Sequence, residues 1–267
     1  MVQKNLSFFL LTMLRHSLQL EPGKKAYFAS DFHLGAPDFA RSLKREKKIV
    51  RWLEAIEPDC QYLFLLGDLF DFWFDYRHVA PQGFVRFLGK LAQMSDQGVR
   101  IFVFTGNHDM WMFGYLEKEL GITIYRSSLD LDWGNFRMQV GHGDGLGPGD
   151  MSYKFLKRIF ANPVCQWLFS FLHPTIGIGI AKAWSRHSRI SSSKDEEFKG
   201  EKEFLWNYTR QQEAKLHRDV YIFGHRHLPL DLPAGEGSRY LNLGEWMNHC
   251  LYLEFDGTQV QIHEWKN

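Results

Sequence analysis

Cysteine is nearly absent from this chain of 267 residues. Cys60, Cys165 and Cys250 are odd in number, far apart and never in a Cys-x-x-Cys pair, which excludes a disulfide framework and a thiolate zinc knuckle. A reducing cytoplasm is the simplest compartment for such a chain. An excess of one charge is also missing. With 32 basic and 31 acidic side chains the formal net charge is +1, so no global field draws it to nucleic acid, and none is expected as a partner. Nor does any segment reach the ~20 apolar residues that span a bilayer. The short apolar run Leu6 to Leu14 lacks a strongly basic start and a small-residue cleavage site, so it reads as an interfacial or core helix rather than a secretory signal. There are no internal repeats, and the only low-complexity tract is Ser191-Ser192-Ser193.

What is abundant is apolar and aromatic. Hydrophobic residues make up 45% of the chain, enough for a large packed core, and 23 Phe with 9 Trp exceed what packing usually takes. Part of that surplus is expected to face an apolar ligand. The first half alternates strands and helices. Ala26 to Ser30, Tyr62 to Leu66 and Arg100 to Phe104 read as buried strands, Ser42 to Glu57 as an amphipathic helix, and Pro81 to Gln97 as a helix opened by its proline. The second half has two hairpin patterns, one at Gly134-Asn135 and one at Asp256-Gly257, and strands at Val220 to Phe223 and Tyr240 to Leu243 that complete a second sheet. Between them lies a helical insertion, residues 151–216, expected to break at Pro163, Pro174 and Gly177 to Gly179. The core is then residues 1–150 with 217–267.

Five short boxes each follow a strand pattern directly: Asp31-Phe32-His33, Gly67-Asp68-Leu69-Phe70-Asp71, Gly106-Asn107-His108-Asp109, Gly141-His142-Gly143-Asp144 and Gly224-His225-Arg226-His227. Alternate residues of an extended chain point the same way, so Asp31 with His33, and His225 with His227, can each address one site from one strand end. Carboxylate, imidazole and amide-oxygen donors suit Mn, Fe or Zn, with Mn²⁺ the leading expectation. The two oxygens of Asp68 allow it to bridge two ions roughly 3.5–4 Å apart, a spacing that clamps both attacking and leaving oxygens at phosphorus. Taken singly, each box is a common string, and Gly-Asn-His-Asp could be a mere turn. Five in register are not.

In this series and order the boxes resemble the calcineurin-like metallophosphoesterases, over the whole core from Ala26 onward. That resemblance implies a two-sheet αββα sandwich of the α/β class carrying two divalent metal ions. It assigns one ion to Asp31, His33, Asp68 and His227, and the other to Asp68, Asn107, His142 and His225. It makes His108 a group beside the phosphoryl centre, oriented by Asp71.

A narrower resemblance extends from Gly67 to Trp73 and through Tyr153 to Phe155, Asn162-Pro163, Gln166 to Phe169 and Ile180-Ala181. These stretches resemble the bacterial UDP-2,3-diacylglucosamine pyrophosphatases of lipid A synthesis. The resemblance implies cleavage of a UDP-linked acylated sugar to UMP and 2,3-diacylglucosamine 1-phosphate, with the insertion as a lid over the metals that holds the acyl chains. Phe155, Phe160, Trp167, Phe171, Ile178 and Trp184 fit that duty, and Arg158, Lys182, Arg186, Arg189 and Lys194 are expected at its rim. Asn107, His108, Trp73, Asp150, Ser188, Lys194 and His225 are its candidate substrate contacts, and peripheral attachment to the inner face of the cytoplasmic membrane is expected. The chain departs from the best-known branch at His108, which replaces an Arg, and at Ser191 or Ser192, which replaces an Asn. A generic phosphodiesterase or nucleotide pyrophosphatase with no lipid in its pocket is the alternative.

Overall fold

The computed structural model describes residues 15–149, 151–192 and 197–266, and for residues 182 and 186–192 the backbone alone. The Leu6 to Leu14 run, Asp150 and Lys194 therefore lie outside the described residues, as do the side chains of Ser188, Lys182, Arg186 and Arg189.

Strands β1 (Arg15–Ser17) and β2 (Lys25–Ala29) lead into helix α1 (Phe39–Ile56), then β3 (Cys60–Leu65), α2 (Val85–Asp96), β4 (Arg100–Phe104), α3 (Tyr115–Leu120) and β5 (Thr123–Tyr125). The hairpin β6 (Leu129–Asp132) and β7 (Arg137–Gly141) precedes helices α4 (Met151–Phe160), α5 (Pro163–Ser170), α6 (Pro174–Ser192) and α7 (Phe204–Glu213). Strands β8 (Val220–Phe223), β9 (Pro229–Gly235), β10 (Ser238–Leu243), β11 (Leu251–Phe255) and β12 (Val260–Glu264) close the chain.

The strands form two six-stranded sheets, ordered β12-β11-β2-β3-β4-β5 and β1-β6-β7-β8-β10-β9. Period-two alternation explains how they stack. On β2, Ala26 and Phe28 face the second sheet with Phe64, Phe102, Val140 and Ile222, while Tyr27 and Ala29 face the other way, toward Trp52, Leu53, Phe87 and Leu91 of α1 and α2. A third cluster packs Leu205 of α7 on Tyr221, Phe223 and Tyr240. The result is the expected αββα sandwich.

Three local expectations are corrected. The C-terminal hairpin does not extend the second sheet: β11 runs antiparallel to β2 in the first. Helix α2 begins at Val85, not Pro81, because Phe84 takes a left-handed turn (φ 59°) and Glu46 Oε1 of α1 accepts the free N–H groups of Arg86 (2.9 Å) and Phe87 (3.2 Å). Helix α6 runs unbroken through Gly177 and Gly179. A Cβ at Gly177 would collide with the Tyr76 hydroxyl and press on the Phe169 ring (3.2 Å), so this glycine allows the helix to approach the core rather than ending it.

Candidate metal centre

Each box sits where its strand ends: Asp31 and His33 after β2, Asp68 after β3, Asn107 after β4, His142 after β7, and His225 and His227 after β8. The first three strands belong to one sheet and the last two to the other, so the carboxyl edges of both sheets meet here. Such edges are where loops of an α/β fold converge on a ligand.

The structure brings all seven predicted donors together. His227 Nε2 lies 3.0 Å from His33 Nε2 and 3.2 Å from Asp31 Oδ1, and His33 Nε2 is 3.8 Å from Asp68 Oδ2. On the far side of Asp68, His142 Nε2 is 3.3 Å from its Oδ2 and 3.2 Å from Asn107 Oδ1, which in turn lies 2.9 Å from His225 Nδ1. Asp68 thus stands between two donor groups. Its second oxygen, Oδ1, accepts the backbone N–H of His108 at 2.8 Å.

The donor set fits divalent cations. Two buried imidazole nitrogens facing each other beside two carboxylates can share at most one proton, and they leave lone pairs that a cation satisfies. The Nδ1 of His142 donates to the Leu66 carbonyl at 2.8 Å, which fixes the tautomer and frees Nε2 to bind.

Backbone strain marks the same residues. Asp31 (φ 56°), His33 (43°), Asp68 (52°), His225 (69°) and His227 (52°) all lie in the left-handed region, where a non-glycine residue costs about 1–3 kcal/mol and persists only if its surroundings enforce it. Arg45 of α1 is one enforcer, donating to the carbonyls of Phe32 (2.6 Å), His33 (2.5 Å) and Ala36 (2.6 Å). The Glu203 carboxylate is another, gripping Arg226 Nε (2.6 Å) between the two histidines of the last box. The box glycines contribute by what they lack. A Cβ at Gly67 would meet His142 Nδ1 at 2.7 Å, and Cβ atoms at Gly106 and Gly224 would strike the carboxylates of Asp68 and Asp31. Neighbouring boxes approach too closely to admit a side chain.

Residues 24–229 match the calcineurin-like phosphoesterase family. The chain belongs to this family. Among its relatives, UDP-2,3-diacylglucosamine hydrolase of Porphyromonas gingivalis is 36% identical over 89% of this chain and 96% of its own length. The enzyme of the same name from Edwardsiella ictaluri is 27% identical over 89% and 90%.

Electrostatics in this phosphoesterase follow from burial and proximity. Burial opposes ionisation of Asp31, but His227 at 3.2 Å and the neighbouring imidazoles outweigh it and hold the carboxyl far below the usual range. The charge of His142 does the same for Asp68. Burial, assisted for His225 by the charge of His142, pushes His33 and His225 down to about 4, so both imidazoles are neutral at pH 7. Without a cation His142, although buried, is raised to about 10 by Asp68, so its Nε2 carries a proton that a bound cation would replace. Buried Asp109 is raised to about 7 by desolvation and by Asp68, and its oxygens accept the N–H groups of Leu69 and Gly106, each at 2.7 Å, locking two boxes together.

Two sequence expectations need correction. The Asp71 carboxylate is 3.9 Å from His108 Nδ1, beyond hydrogen-bond reach, and Asp71 meets the ring instead through its backbone carbonyl at 3.1 Å and through Ser185 Oγ, 2.7 Å from Asp71 Oδ1 and 3.0 Å from His108 Nδ1. Trp73 is no surface for a substrate: it is fully buried, packs on Phe70 and donates its indole N–H to Asp75 at 2.6 Å. Arg45, Glu203 and Ser185 escaped sequence reasoning because each acts across a long chain separation and lies in no strand-end motif.

Proposed function

We propose that the chain hydrolyses the pyrophosphate of UDP-2,3-diacylglucosamine with water, giving UMP and 2,3-diacylglucosamine 1-phosphate. The observation that carries this reading is a cavity of about 790 Å³ that begins at Gly35 and Asp71, beside the donor cluster. It runs between α1 and α6 along Leu34, Phe39, Leu43, Phe72, Phe84 and Ile178. A generic diester needs no such space. Acyl chains do, at about 0.8 kcal/mol for each methylene removed from water. Relatives covering nearly the whole chain carry the corresponding name.

Asp31, His33, Asp68 and His227 would hold one metal ion, and Asp68, Asn107, His142 and His225 the other, Mn²⁺ by expectation. Bound there, the metals supply charge for the phosphoryl oxygens and a water acidic enough to attack near neutral pH. The chain's own contribution is His108. The carbonyl of Asp71 lies 3.1 Å from His108 Nδ1 and can only accept, so Nδ1 carries a proton and Nε2 remains for the phosphoryl group. When Nε2 also carries a proton, it donates to a phosphoryl oxygen or passes that proton to the leaving oxygen.

Helices α4, α5 and α6 are the cover. Phe160 and Phe169 pin them on Trp111, with ring centroids at 5.5 and 4.8 Å, and so serve packing rather than lipid. Phe155, Trp167, Leu168, Phe171, Ile180 and Trp184 are instead exposed. Exposed apolar side chains on these helices, with Arg158 also exposed, suit the interface of an anionic membrane, where an acylated substrate resides. No described helix is long and apolar enough to cross one. The test is hydrolysis of UDP-2,3-diacylglucosamine beside an unacylated UDP-sugar with Mn²⁺ supplied: preference for the acylated substrate is expected, and equal turnover refutes the lipid assignment.

A further inference from the structure

The hydroxyl of Ser185 is the one side chain of α6 described in hydrogen-bond contact with the group placed at the phosphoryl centre. It lies 114 residues from Asp71 and 77 from His108, is nearly fully buried, and reaches both at 2.7 and 3.0 Å. The direction of each bond follows from the chemistry. An ionised carboxylate only accepts, so the Ser185 hydroxyl donates to Asp71 Oδ1, which turns its lone pairs toward His108. His108 Nδ1 carries a proton because its other neighbour, the Asp71 carbonyl at 3.1 Å, is also a pure acceptor. The ring is thereby held from one side by two acceptors, while the His33 ring stands edge-on 4.9 Å from its own.

The chain of contacts has a consequence for the cover. Asp71 and His108 come from loops of the core, whereas Ser185 comes from α6, which also supplies Pro174, Thr175, Ile178 and Gly179 to the cavity wall. The hydroxyl is therefore present at His108 only when α6 is seated as it is here. We infer that Ser185 is a positioning residue that completes an Asp71–Ser185–His108 relay, so that seating of α6 over the cavity sets the orientation of His108. The inference rests on the phosphoesterase reading of the site. It makes the relay sensitive to whatever fills the cavity, because the helix that lines the cavity also carries the hydroxyl.

The test combines kinetics with a measurement that needs no turnover. Ser185→Ala is expected to lower kcat about 10–100-fold, the usual effect of losing an orienting partner, with KM nearly unchanged and metal content the same as in the wild type. Ser185→Thr, which keeps the hydroxyl, should recover most of the rate. His108→Ala should cost roughly 10²–10⁴-fold, and adding Ser185→Ala to it should cost nothing more, since the serine acts through the imidazole. In nitrogen-resolved spectra of the metal-free protein, the His108 Nδ1 proton should be protected from exchange in wild type and Ser185→Thr but not in Ser185→Ala. A fully additive double mutant, or unaltered Nδ1 protection in folded Ser185→Ala, overturns the relay. Assaying bis(4-nitrophenyl) phosphate in parallel keeps the two readings apart: wild-type turnover of the diester but not of UDP-2,3-diacylglucosamine defeats the substrate assignment alone.

Discussion

Asp68 is the residue on which both halves of the centre converge, with His33 on one side at 3.8 Å and His142 on the other at 3.3 Å. Asp68→Ala removes a donor from both groups at once, and the expected outcome is loss of turnover together with loss of bound metal, read by elemental analysis of the purified variant. Gly106 tests the same point from outside. Its missing side chain is what lets the box after β4 lie against the Asp68 carboxylate, so Gly106→Ala must displace one or the other. Overpacking of this kind costs about 1–3 kcal/mol, and a denaturation midpoint lowered accordingly, with activity lost out of proportion, is expected. A variant as stable and active as the wild type would show that the two loops are not in contact. At this scale the sequence was nearly sufficient for the donors, because Asp, Asn and His at five strand ends have few other reasons to recur. It was silent on Ser185, Arg45 and Glu203, whose partners lie 114, 12 and 23 residues away at their main contacts and whose residue types are ordinary.

Elements divide into those whose period was legible and those whose fate depended on neighbours. The strands β2, β3 and β4 and the helix α1 were readable because burial on fixed faces imposes periods of two and 3.6. Helix α6 was not, since glycine weakens a helix only where nothing compensates, and here Gly177 seats against Tyr76 and Phe169. Helix α5 carries the clearest functional test among the elements. Trp167 and Phe171, with rings 4.7 Å apart, are both exposed and hold none of the three described cores together. Trp167→Asp or Phe171→Asp should therefore depress hydrolysis of the acylated substrate presented in vesicles while leaving bis(4-nitrophenyl) phosphate turnover and the melting temperature almost unchanged. Equal losses on both substrates would assign these residues to folding.

The whole molecule joins two sheets at a seam where the carboxylates of one, Asp31 and Asp68, meet the imidazoles of the other, His142, His225 and His227. Asp31 and Asp68 bring buried carboxylates to that seam, and five donors are held in left-handed backbone conformations. A ligand that binds only the folded chain stabilises it by mass action, about 2.7 kcal/mol at a hundredfold excess over its Kd. For a chain of this length that is a shift on the order of 5–10 °C. Thermal melts with Mn²⁺ and after chelation should differ by that amount, and Asp68→Ala should abolish the difference. Identical melts for the wild type in both conditions would remove the cation from the account of the seam. By itself the sequence determined the alternating strands and helices and the strand-end boxes, because hydrophobic period and short motifs are local properties written in adjacent residues, while the αββα class and the assignment of seven donors came from the family those boxes resemble. Only the tertiary structure decided which sheet receives the last hairpin, that Trp73 is core, and that a serine of α6 stands between Asp71 and His108. Those outcomes depend on packing between segments far apart in the chain, where many residues of ordinary type are equally suited and only the assembled fold selects one.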